Sequence, residues 1–141
     1  MQVGNVFLAE VYYMRVYISS HDPEAARQAA AALEDAGHTV VSTWHLPNAP
    51  GSAGAAGAAD DLKRDKARSN AHQVGLCDVL VLVASAERVP GGKFVEAGIA
   101  IGRGKRVVVW GDRENLLLHH PAVTAAAAIE TVVEMVGRKA Q

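Results

Sequence analysis

A chain of 141 residues has room for one ordinary hydrophobic core and too little for two that would be stable alone. Its 14 Lys and Arg are scattered among 15 Asp and Glu for a net charge of −1, which leaves no electrostatic footprint for a nucleic-acid polymer. The single cysteine, Cys77, excludes an internal disulfide framework and any multi-cysteine metal site, and it fits a reducing cytoplasm.

No apolar run reaches the length of a membrane span, and the start lacks the basic stretch and cleavage pattern of a signal peptide. The expectation is a soluble, cytoplasmic protein without a membrane partner. Met14 directly precedes a clean strand. Residues 1–13 are therefore read as an extension of uncertain role, either outside the core or adding an edge strand or an oligomer contact, and residues 14–141 as the domain.

"MRVYISS" is a short β-branched and aromatic run that predicts the first strand. "HDPEAARQAAAALEDAG" predicts a helix with Asp22 at the N-cap, Pro23 at the first helical position and Gly37 just past the end. "HTVVSTW" predicts a second strand, and "HLPNAPGSAGAAGAA" reads as a long mobile loop of the kind that forms lids. "DDLKRDKARSNAHQVGL" has helical composition with an acidic start, and "CDVLVLVAS" is the continuous apolar run of a strand covered on both faces. A helix from about Gly92 to Arg103, the strand "KRVVVW", a polar turn "GDREN", a short strand near Thr124 to Ala126 and a closing helix "AIETVVEMVGR" complete the series.

Such alternation predicts an α/β fold, a doubly wound, Rossmann-like five-stranded parallel sheet with helices on both faces. In that architecture a ligand lies outside the carboxyl ends of the strands, near the point where strand order reverses. The stretches to inspect are then Ser19 to Asp22, Trp44 to Leu46, Ser85 to Glu96 and Gly111 to Asn115.

Within them Glu96 is the anomaly. Its neighbours Phe94, Val95, Ala97, Ile99, Ala100 and Ile101 leave almost no polar helix face for a solvated acid to belong to. Gly91 and Gly92 are read as letting the backbone turn tightly into this helix, whose first amides would face the crevice. A carboxylate one turn in could then face a bound sugar.

"VYISS", "AGHTVVSTW", "CDVLVLV", "GGKFVEAGIAIGRGKRVVVWG" and "ENLLLHHP" resemble, in order and spacing, the nucleoside 2-deoxyribosyltransferase-like superfamily, above all its small bacterial and phage members. The resemblance runs from about Met14 to Met135, and only the part from the glycine pair to Asn115 is specific. It implies cleavage of a nucleoside or nucleotide N-glycosidic bond, with the catalytic glutamate falling on Glu96. The carboxylate would attack the anomeric carbon, or stabilise the oxocarbenium-like centre, as the base leaves.

The family's first-strand aromatic matches Tyr17, which either holds Glu96 through its hydroxyl or is a core aromatic. Its asparagine, which in transferases reaches a neighbouring subunit's site, matches Asn115. That reading implies a homodimer or higher homo-oligomer; otherwise Asn115 is a turn residue. Two acids that handle the base in transferases are replaced, by Asn70 and Pro90, which shifts the expectation toward hydrolysis over base exchange. Asp78 matches a family position but also suits local backbone organisation.

Ser19, Ser20 and Ser85 are candidates for holding a 5′-phosphate, opposed by Asp22 unless His21 offsets it, so that point stays open. His45, His119 and His120 are read as surface or interface residues; neither a metal nor a cofactor is expected. The "PGG" before a glutamate is also similar to the lysine-decarboxylase-like phosphoribohydrolases, whose pattern has a Gly-Thr pair and a longer gap. A module that senses a nucleotide derivative without turning it over is the alternative from another class.

Overall fold

A computed structural model describes residues 10–47 and 59–138. The elements are β1 (Arg15–Ser19), α1 (Pro23–Asp35), β2 (Thr39–Val40), α2 (Asp60–Leu76), β3 (Val79–Val83), α3 (Gly92–Gly102), β4 (Arg106–Trp110), a 3-10 turn at Leu116–His119, β5 (Val123–Ala126) and α4 (Ile129–Gly137). The strands form one all-parallel sheet in the order β2-β1-β3-β4-β5. Strand order reverses between β1 and β3, which puts the switch point at their carboxyl ends.

Alternation along each strand divides the core in two. Val16 and Ile18 of β1, with Val79, Val81 and Val108, pack against Ala26, Ala29, Leu33, Val132 and Val136 of α1 and α4. Tyr17, with Leu80, Leu82, Val107 and Val109, packs against Val74, Ala97 and Ala100 of α2 and α3 on the other face. β3 is buried at every residue, as its unbroken apolar text requires. The doubly wound α/β reading holds.

α1 begins as the sequence dictates: the Asp22 side chain accepts from the Glu24 amide and Pro23 sits at the first position. Gly37 ends the turn after it at φ +95°, and a Cβ there would come within 2.7 Å of Cε1 of Tyr13. Tyr13 belongs to the expected extension, and the Tyr12 amide donates to the Gly137 carbonyl at 2.7 Å. Residues 10–13 are thus fastened to the domain without forming a strand; residues 1–9 lie outside the described residues.

β2 is shorter than "HTVVSTW" suggested. The Val41 amide still donates to the Val16 carbonyl, but the Ser42 hydroxyl then accepts from the Ile18 amide at 3.0 Å, and the Trp44 indole donates to the Ile18 carbonyl at 2.7 Å. Side chains take over the ladder, and the chain turns away at residues 43–46. Most of the glycine-rich loop expected to act as a lid, residues 48–58, lies outside the described residues. Among the described residues no helix is long and apolar enough to cross a membrane.

Candidate active site

Tyr17 and Ser19 are two apart on β1, so both project toward α3 at the switch point. Glu96, one turn into α3, meets them there: its carboxylate accepts the Tyr17 hydroxyl on Oε2 and the Ser19 hydroxyl, at 2.8 Å, on Oε1. Burial raises the Glu96 pKa, while the Tyr17 and Ser19 donors pull it down and favour the anion. Burial first, then the charge of Glu96, hold the Tyr17 phenol well above its ordinary range, so Tyr17 remains a donor.

Tyr17 and Ser19 are both fully buried. Each touches the carboxylate and neither reaches open space, so Ser19 does not present itself to a phosphate as the sequence suggested.

Glu96 opens on a cavity of about 420 Å³ lined by Trp44, Ala67, Asn70, Ala71, Pro90, Gly92, Val95 and Ile99, with Ser20 and His21 at its edge. Besides the Glu96 carboxylate and the Asn70 amide, its polar lining is Ser20, His21 and Lys93, and the rest is apolar or glycine. Ser20 and His21 also border a second cavity of about 530 Å³, which lies between the β1–α1 turn and the loop after β3 and includes Asp22, Ser85 and Glu87.

Gly91 and Gly92 stand here for a different reason than expected. Gly91 has φ −82°, both lack the left-handed backbone that demands glycine, and a Cβ on either would meet nothing within 4 Å. The missing side chain of Gly92 leaves room at the cavity. The glycine that a close approach does require is Gly111, at φ +117°, where a Cβ would come within 2.7 Å of Ala84 Cβ.

A buried ion pair, absent from the sequence reading, underlies the crevice. The Lys93 side chain is 1% exposed and its ammonium donates to Glu114 Oε1 at 2.6 Å, the Ser85 hydroxyl at 3.1 Å and the Val83 carbonyl at 3.4 Å. Glu114 also accepts the Ser85 amide at 3.1 Å. The pair ties the loops after β3 and β4 to the first turn of α3, and the Lys93 carbonyl lies 3.2 Å from the Ser19 hydroxyl. The sequence signal was available: Lys93 is as foreign to this apolar helix as Glu96, one turn away.

Asn115 caps the 3-10 turn, its side chain accepting from the Leu118 amide, and lines neither cavity. Within one chain the fold does not bring it to Glu96. Asp78 lies at the opposite end of the sheet, where its carboxylate accepts the Arg15 amide and pairs with the Arg15 guanidinium. His45 is buried rather than on the surface: its Nε2 is 2.9 Å from the Ser42 hydroxyl, because the turn after β2 folds the ring inward. His119 and His120 are exposed and line neither cavity.

No family model and no curated relative matches the chain. Solved structures do. The CMP N-glycosidase BcmB of Clostridium botulinum aligns over 86% of this chain and 97% of its own, at 13% identity and a TM-score of 0.55. A 2-deoxyribosyltransferase of Bacillus psychrosaccharolyticus aligns over 90% and 98%, at 15% identity and a TM-score of 0.64. The chain shares the fold of these two proteins. In this fold, polar side chains enter the layer between sheet and α3 around Glu96 and around Lys93.

Proposed function

We propose that this protein cleaves the N-glycosidic bond of a nucleoside or nucleoside 5′-monophosphate, with Glu96 as the catalytic carboxylate and hydrolysis favoured over base exchange. The observation that carries the reading is the Glu96 carboxylate, held by two buried hydroxyls at the mouth of a cavity at the switch point. A carboxylate so fixed suits the positive charge that develops at an anomeric carbon, and it needs little reorganisation as that charge forms. Its attack on C1′ forms a glycosyl ester as the C1′–N bond breaks and the base leaves; water then takes the sugar.

Tyr17 is a positioning residue in this scheme, since it touches Glu96 and not open space. Trp44, Val95 and Ile99 supply apolar surface for a base, and the Asn70 amide offers it both a donor and an acceptor. Asn70 and Pro90 line this cavity where transferases carry acids, which supports hydrolysis: the chain holds no carboxyl there to trade a proton with an incoming base. The fold neighbours, named as a CMP N-glycosidase and a 2-deoxyribosyltransferase, agree with the reaction class.

The oligomeric reading belongs here too. Asn115 is placed beside two exposed leucines, Leu116 at 84% and Leu117 at 72%, a surface suited to a second copy.

The test is base release from a panel of ribo- and 2′-deoxynucleosides and their monophosphates. Wild type releases base, Glu96→Ala slows release by about a thousandfold, and an added second base leaves hydrolysis as the main outcome. Ligand binding without release in wild type would replace the enzyme by a sensing module.

A further inference from the structure

Building on the glycosidase reading, we infer that the substrate is a nucleoside whose 5′ end carries no phosphate, and that Asp22 and Glu87 enforce this. With C1′ at Glu96 and the base against Trp44, Val95 and Ile99, the far end of the sugar passes Ser20 and His21 into the second cavity. A phosphate there needs cations or uncommitted donors. Among the described residues that line the two cavities, few are on offer.

The donors are already engaged. Ser20 donates to the Asp22 carbonyl at 3.1 Å and accepts from the Asp22 amide at 3.0 Å; Pro23 has no amide hydrogen; the Glu24 amide donates to the Asp22 carboxylate at 3.0 Å. The start of α1, whose amides could otherwise receive a phosphate, is thus occupied by the chain's own carboxylate. Ser19 gives its hydrogen to Glu96. Of the three serines that sequence offered for a phosphate, only Ser85 has a hydroxyl hydrogen not committed to the protein, because its oxygen accepts from Lys93.

Charge points the same way. Among the described residues no arginine, and no lysine besides Lys93, lines either cavity. Lys93 is buried and neutralised by Glu114. The stretch from Pro47 to Ala59 contains no lysine or arginine either. The second cavity instead presents the exposed acids Asp22 and Glu87, with His21 as its one titratable counterweight. A phosphate dianion meets net repulsion there, whereas a 5′-hydroxyl can be received by Ser85 and the acids.

The experiment compares kcat/KM for nucleosides and their 5′-monophosphates with the same base and sugar, at low and at raised salt. The nucleoside is expected to be preferred by about tenfold or more at low salt, from charge repulsion, and the preference should shrink as salt screens it. In Asp22→Asn/Glu87→Gln, where Asn still caps α1, the preference should fall by about tenfold. A wild type that prefers the monophosphate, or a preference unmoved by both salt and the double substitution, overturns the inference.

If no base is released from any compound, the glycosidase reading fails separately. The inference is then decided by calorimetric titration of the same pairs. Nucleoside binding more tightly than monophosphate sustains it, and equal or tighter monophosphate binding overturns it.

Discussion

The two faces of the sheet are built from the same strands and do opposite work. Toward α1 and α4, the buried residues of the core cluster are all aliphatic, from Val16 and Ile18 to Leu33 and Val136. Toward α2 and α3, the same alternation along β1 presents Tyr17 and Ser19, and the facing helix answers with Glu96 and Lys93. One face is continuous apolar packing, which is what stabilises the domain. The other concentrates its polar groups at the carboxyl end, where burial raises the pKa of Glu96 and Tyr17 and a cavity admits a ligand. The difference teaches that a strand with period two can hold a fold and arm a site at once.

Breaking the polar face should cost more than its area suggests. Lys93→Met leaves Glu114 partly buried without its cation, and chemical denaturation should show a loss of about 3 kcal/mol or more, with kcat falling alongside because the first turn of α3 loosens beneath Glu96. Stability equal to wild type would mean that the pair contributes nothing. Leu33→Ala, on the apolar face, should cost about 2–4 kcal/mol yet leave kcat per folded molecule as it was. A lower kcat would show that the faces are not separable.

Tyr17→Phe removes one of the two donors to Glu96. Release should slow by roughly tenfold to a hundredfold, about 1.4–2.7 kcal/mol of barrier. Since the lost hydrogen bond had lowered the Glu96 pKa, the acid limb of the rate profile should move to higher pH. An acid limb that stays in place would detach Tyr17 from the carboxylate.

The smallest effect concerns stability. Burial raises the Glu96 pKa above its unfolded value of about 4.5, so between those values the native state binds the extra proton and stability declines as pH rises. Glu96→Gln escapes that decline. Its Tm should match wild type near pH 4 and exceed it modestly at pH 7; a gap that widens toward acid would reverse the sign argued here.

What could be read from the sequence was local. Asp22, Pro23 and Gly37 mark the ends of α1 by themselves, and the apolar text of β3 states its burial. Glu96 stood out because an acid in apolar helix text requires a reason, and Tyr17 followed from resemblance.

Less legible were effects that need distant partners. β2 stops early because Ser42 and Trp44 reach the backbone of Ile18, more than twenty residues away. Lys93 and Glu114 pair only because the carboxyl ends of β3 and β4 lie side by side. Gly91 and Gly92 looked like turn residues and are instead open space, a distinction set by the surroundings and not by the residue type.

The early end of β2 also bears on how these molecules behave in a crowd. Past Val40, β1 would present a bare rim of main-chain groups to any extended segment from another molecule. There the serine hydroxyl and tryptophan indole already occupy both the amide and the carbonyl of Ile18. At Ile18 a foreign strand finds no ladder to extend, and that stretch of β1 is closed to the edge-to-edge growth that seeds aggregates.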